Sequence, residues 1–210
     1  MNMSEKQQKY AELLVKLGVN VQKDQELVIR CAADVAPFAR LVAKAAYDCG
    51  AREVIVHFRD DQLSRLRYEY APMEVFEKIP AWEAESMNYY AARGAAFLSI
   101  VSEDPEALKG VDSKKMMART IAAHEAFRGY YDRMDKNELQ WCVAAVPSVE
   151  WAVRVFPDKS ADEAVEALWE AIFAATRVEE NGEELWQKHC ELLAKRCALL
   201  NEKQFVSLRY

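Results

Sequence analysis

Apolar residues recur in two rhythms along this chain. Segments with apolar positions three and four apart alternate with short unbroken apolar runs. The first spacing predicts amphipathic helices and the second buried strands. Ser4 to Leu17 places Tyr10, Leu13, Leu14 and Leu17 on one helical face, with Ser4 and Gln7 as a capping box and Gly18 as a stop. ELVIRC, from Glu26 to Cys31, reads as a strand. Asp34 can cap the next helix, with Pro37 in its first turn; that helix buries Phe38, Leu41, Val42, Ala45 and Cys49 and ends at Gly50. EVIVHF, from Glu53 to Phe58, is a second strand, parallel to the first by the rule for strand–helix–strand units.

From Asp61 to Arg93 the pattern is helical but interrupted by Pro72 and Pro80. A third strand follows at Ala95 to Val101, then a short turn opened by Asp104 and Pro105. One long helix is expected from Ser113 to Arg133, with Met117, Ile121, His124, Phe127 and Tyr131 on its apolar stripe. Gln140 to Val146 is a fourth strand. Continuous rather than alternating apolar strands argue for a mostly parallel sheet covered by helices on both faces, an α/β fold.

After Pro147 the strands cease. Val149 to Phe156 is helical, Ser160 and Glu163 form a capping box, and Val165, Leu168, Ile172 and Phe173 face inward on the helix that follows. Trp186, Cys190, Leu193, Cys197 and Leu200 step by four and three along a last helix, flanked by Leu185, Leu192 and Leu199. QFVSLRY, from Gln204 to Tyr210, reads as a strand with an open edge. The expected organisation is an α/β domain over 1–146, a helical extension over 147–203 packing on it, and the start of a further domain at 204–210. Trp186, Leu193, Leu200 and Phe205 are its expected domain or subunit interface.

Composition narrows the class. With 51% hydrophobic residues in 210, the chain has the makings of a packed core without metal or disulfide. Acidic residues outnumber basic ones, 34 to 28, for a net charge of -6, which disfavours nucleic acid or an anionic membrane as partner. The five cysteines are an odd number without a CxxC pair. Cys190 and Cys197, seven residues apart on one helix, are separated by about 10 Å, beyond the roughly 7 Å that a disulfide spans. With no membrane-length apolar run and no leader pattern, a cytoplasmic location is expected.

Chemistry is sparse. No Gly-rich phosphate loop and no GxSxG elbow occur. His124-Glu125 is followed by Arg128 where a zinc helix needs its second histidine. His124 and His189 therefore read as packing histidines, as Trp151 and Trp186 read as core aromatics. The best local candidate is a ligand crevice of His57, Asp60 and Asp61 at the carboxyl end of the second strand, where open α/β sheets place ligands. Two adjacent carboxylates could hold a hard cation or a substrate amine. The plainer reading makes one of them a helix cap and leaves the other solvated.

One stretch is distinctive: Val146-Pro147-Ser148-Val149-Glu150-Trp151-Ala152-Val153-Arg154-Val155-Phe156-Pro157. It resembles the P-x-x-x-W-A-x-x-x-F-P signature of the thermophilic metallo-aminopeptidase (aminopeptidase T) family. Asp48-Cys49-Gly50-Ala51 resembles that family's D-x-G-A entry to its second strand. Leu168-Trp169, Trp186 to His189, Leu199-Leu200-Asn201 and the residues from Phe205 to Tyr210 resemble its later segments in order. Asp24-Gln25 departs from it, where a glycine is expected. The resemblance implies the N-terminal part of a two-domain cytoplasmic exopeptidase, commonly a homodimer, which removes N-terminal residues from peptides. It implies a divalent metal site (cobalt, zinc or similar) whose ligands lie beyond Tyr210, with no catalytic or metal residue in this chain and no activity of the chain alone. A stand-alone ligand-binding or protein-interaction module is the alternative.

Overall fold

The computed structural model describes all residues except 103, 179, 180, 208 and 210. Helix α1, Met3–Leu13, is closed at its start by a capping box in which Asn2 and Glu5 exchange hydrogen bonds. The cap is two residues earlier than the sequence suggests, because Asn2 already has the extended backbone that a cap requires. The helix then widens into a π-helical turn over Leu14–Gly18, with the Val19 amide bonded to the Leu14 carbonyl.

Strand β1, Glu26–Ala32, leads through a single 3₁₀ turn to helix α2, Ala36–Asp48, and strand β2, Glu53–Arg59. Asp34 falls inside that turn, and no side chain caps α2. The prolines divide the next stretch into α3, Asp61–Tyr70, and α4, Ala81–Ala92, before strand β3, Ala96–Val101. The long helix expected up to Arg133 breaks at Phe127 into α5, Ser113–Ala126, and α6, Arg128–Asp135. The Asn88 side chain stabilises the break by accepting the Tyr130 amide at 3.1 Å and donating to the Ala126 carbonyl at 2.8 Å. Met117, Ile121 and His124 of the expected stripe are exposed, while Tyr130 is buried. Strand β4, Trp141–Ala145, precedes α7, Val149–Val155, α8, Ala161–Ala175, and α9, Gly182–Lys203. Past α9 the described residues form no strand, and Leu208 and Tyr210 of the expected terminal strand lie outside them.

All three strand pairings are parallel, in the order β2-β1-β3-β4. Alternation along β1 sends Leu27, Ile29 and Cys31 to one face and Val28 with Arg30 to the other. The first face carries the larger core. There Tyr10 of α1 packs on Phe38 of α2 with ring centres 5.5 Å apart, and on Trp169 and Phe173 of α8 at 6.4 and 6.1 Å. The second face is covered by Met87 and Ala91 of α4 and Tyr130 of α6. The fold is thus α/β with helices on both faces. The chain passes from β2 across β1 to β3, so the direction of winding reverses between β1 and β3.

Candidate functional site

That reversal opens a cleft at the carboxyl ends of β1 and β3, the place where doubly wound sheets hold ligands. It encloses about 480 Å³ and is bordered by Asp34, Asp60, Asp61, Ser102 and Asp104. Asp60 is the N-cap of α3, its carboxylate accepting the Leu63 amide at 2.8 Å. Asp61 is not simply solvated: its Oδ2 accepts the Asp104 amide at 3.0 Å and so ties the loop after β3 to α3. Arg65 strengthens the tie by donating to the carbonyls of Ala107 and Lys109 at 2.9 and 3.1 Å. Ser148, opposite, caps α7 by accepting the Trp151 amide at 3.2 Å. Both aspartates of the expected crevice therefore serve the local architecture.

His57 lies elsewhere. Its place in β2 aligns it with Arg30 of β1, on the sheet face covered by α4 and α6. It borders a second, larger cleft of about 700 Å³ that also takes in Asp61, so Asp61 is the one residue of the three common to both. Burial, aided by the Arg30 charge, pushes the His57 pKa below its ordinary value. Arg30 and Arg119 in this second cleft went unnoticed in the sequence. Arg30 alone left a signal, a charge set inside the apolar run of ELVIRC.

The interface residues also part company. Trp186 is half-buried against the main core, donates its indole N–H to the Thr176 carbonyl at 2.8 Å and carries the Arg177 guanidinium 5.1 Å above its ring. Leu193, Leu200 and Phe205 are exposed. Between Gly182 and Lys203 only Gly182 is fully buried, so most of α9 stands clear of the body. A groove of about 1060 Å³ separates the base of α9 from the π-helical turn and β4.

No group of three or more His, Cys, Asp or Glu side chains among the described residues is placed to hold a metal ion. No helix among them is long and apolar enough to cross a membrane. All five cysteines are free thiols.

Comparison with known proteins bears on this architecture. The family model described as thermophilic metalloprotease (M29) matches residues 3–210. Aminopeptidase AmpS of Bacillus subtilis is 43% identical over 210 residues, which are 100% of this chain and 51% of that protein. Aminopeptidase T of Thermus thermophilus is 34% identical over 97% of this chain and 50% of its own length. The solved structure of wild-type AmpT from Thermus thermophilus superposes with a TM-score of 0.88 at 33% identity, over 97% of this chain and 50% of that one. The chain spans about half the length of the curated relatives it matches.

Proposed function

The chain belongs to the M29 family of thermophilic metalloproteases, and on that premise we propose that it is the N-terminal, non-metal-binding part of an aminopeptidase that removes N-terminal residues from peptides. The observation that carries this reading is the coverage: every residue of the chain aligns with aminopeptidase AmpS, yet the match takes in 51% of AmpS. The described residues do not fit the divalent ions of a metalloprotease, because no cluster of ligands forms among them. In this reading the ions, cobalt, zinc or similar, belong to residues of a C-terminal domain. What this chain supplies is shape: one cleft at the carboxyl ends of β1 and β3, another beside His57 of β2, and a long helix with exposed leucines.

The same reading divides the chain into a sheet domain over 1–146, a helical extension over 147–203, and the approach to the metal-binding domain over 204–210. Leu193, Leu200 and Phe205 would then meet that domain or the second subunit of a homodimer, with Trp186 anchoring the helix to this body. Their exposure supports that assignment. A cytoplasmic location is supported by five unpaired thiols. A stand-alone ligand-binding module is disfavoured by the aminopeptidase names of the relatives. Joining this chain to the second half of Bacillus subtilis AmpS tests the reading. Metal-dependent release of amino acids from aminoacyl amides, above the rate of that half alone, is expected. A folded, metal-loaded fusion without turnover would count against it.

A further inference from the structure

The cleft that holds His57 has a composition unlike the rest of this acidic chain. Arg30, His57, Arg67 and Arg119 border it, with Tyr130 in its wall and Trp82, 72% exposed, at its edge. Two polar atoms there are buried without a hydrogen-bond partner: His57 Nε2 and Arg119 Nη1. Buried donors are almost always paired in folded proteins, and an orphaned one calls for a missing acceptor. Both orphans border the same space.

The carboxylates of the cleft do not meet that need. Glu83 is bonded to Arg119 through Nη2, which leaves Nη1 over. Asp61 accepts the Asp104 amide, and Asp104 in turn accepts the Glu106 amide. Arg59 also borders the cleft. Arg30 lies opposite His57 in the β1–β2 register and borders the same cleft, with Tyr130 in its wall. Each of these carboxylates thus already accepts a hydrogen bond, while His57 Nε2 and Arg119 Nη1 have no partner. A cation would meet four guanidinium groups, whereas an anion would meet the unpaired Arg119 Nη1 and a His57 ring nitrogen able to donate in one of its tautomers.

We infer that this cleft binds an oxyanion-bearing ligand, a carboxylate or phosphate group seated between Arg119 and His57, with an apolar body lying against Trp82. Arg119 Nη1 donates to its oxygens in a charge-assisted hydrogen bond, shorter and stronger than a neutral one, and His57 Nε2 donates in the tautomer that carries its proton there. Arg30 and Arg67 supply further positive charge. This reverses the chemistry expected of the crevice from Asp60 and Asp61, which favoured a cation or an amine. It does not depend on the peptidase reading.

Nuclear magnetic resonance of the isotope-labelled 210-residue chain tests it. Inorganic phosphate is titrated in one series. An N-acetylated peptide with a free terminal carboxylate is used in the other, with chloride holding ionic strength constant. Saturable shifts of the His57 ring and the Arg119 guanidinium are expected, together with a rise in the His57 titration midpoint on binding. His57→Phe keeps a ring in place but removes the orphaned nitrogen, and Arg119→Gln removes the guanidinium. Each is expected to weaken binding about tenfold or more, the worth of one charge-assisted hydrogen bond. Saturation by phosphate alone identifies a phosphoryl ligand, and saturation by the peptide identifies a terminal carboxylate; either upholds the site. The inference is overturned if neither ligand saturates, or if folded His57→Phe binds as tightly as the parent chain.

Discussion

Tyr10 shows how much one residue can carry. Its ring closes the core between α2 and α8, and its hydroxyl accepts the Ala145 amide of β4 at 3.3 Å. Burial pushes its pKa up to about 12, from an ordinary value near 10. A raised folded-state pKa means that the neutral form is favoured by folding. That stability is fully present below pH 10 and is lost as pH rises through about 12. The loss should approach about 3 kcal/mol by the conversion of two units. Tyr10→Phe should flatten the stability profile over that window, read as the urea midpoint against pH; Tyr130, raised in the same direction by burial, leaves a remainder. A second residue is fixed by space. A Cβ on Gly182 would lie 2.6 Å from the Arg177 carbonyl oxygen. Gly182→Ala should therefore cost about 1–3 kcal/mol and loosen the base of α9, seen as a change in Trp186 fluorescence. The sequence placed Tyr10 on the apolar face of the first helix, but its partners and the role of Gly182 were not legible, because they depend on distant residues or on backbone approach. Arg30 and His57 were readable as residues on strands, but not as neighbours on one face, since the pairing register is a tertiary fact.

At the scale of elements the sequence was more informative. Each of the four strands lies within a residue or so of its apolar run, because a strand covered on both faces needs apolar side chains throughout. The capping box of Ser160 and Glu163 starts α8 where its local chemistry says it should. The break at Phe127 was missed: Gly129, two residues on, is its sequence mark, but the stabilising partner is Asn88 on another helix. The apolar stripe of α5 misled for the same reason, since a periodic stripe does not say which of its residues finds a covering partner. Helix α9 makes the opposite case. Leu193 and Leu200 are 47% and 54% exposed, so their apolar spacing does not belong to this core. Self-association of the chain at high concentration is expected through this face. Replacing both leucines by Glu should leave the unfolding midpoint within about 0.5 kcal/mol of the parent, as for other exposed positions. It should also abolish the association measured by light scattering. A parent chain that is monomeric at every concentration, with a variant unchanged in size and stability, would remove α9 as an interface.

For the whole molecule, the parallel sheet and its two covered faces were foreseeable, and so was the family, through the residues from Pro147 to Pro157. The strand order was not, because apolar runs do not say which neighbours they pair with. That order places the reversal of winding, and hence the acidic cleft, between β1 and β3. What the molecule as a whole lacks, among its described residues, is a cluster of metal ligands, although its family is one of metalloproteases. The central claim is our proposal that this chain is the part of a metallo-aminopeptidase that does not carry the metal centre. Hydrolysis of leucyl and arginyl amides by the 210-residue chain, with cobalt, zinc or manganese added, tests that claim most directly. The account predicts a rate no higher than the metal salts alone. Metal-dependent turnover that survives repurification and scales with the amount of chain would contradict it.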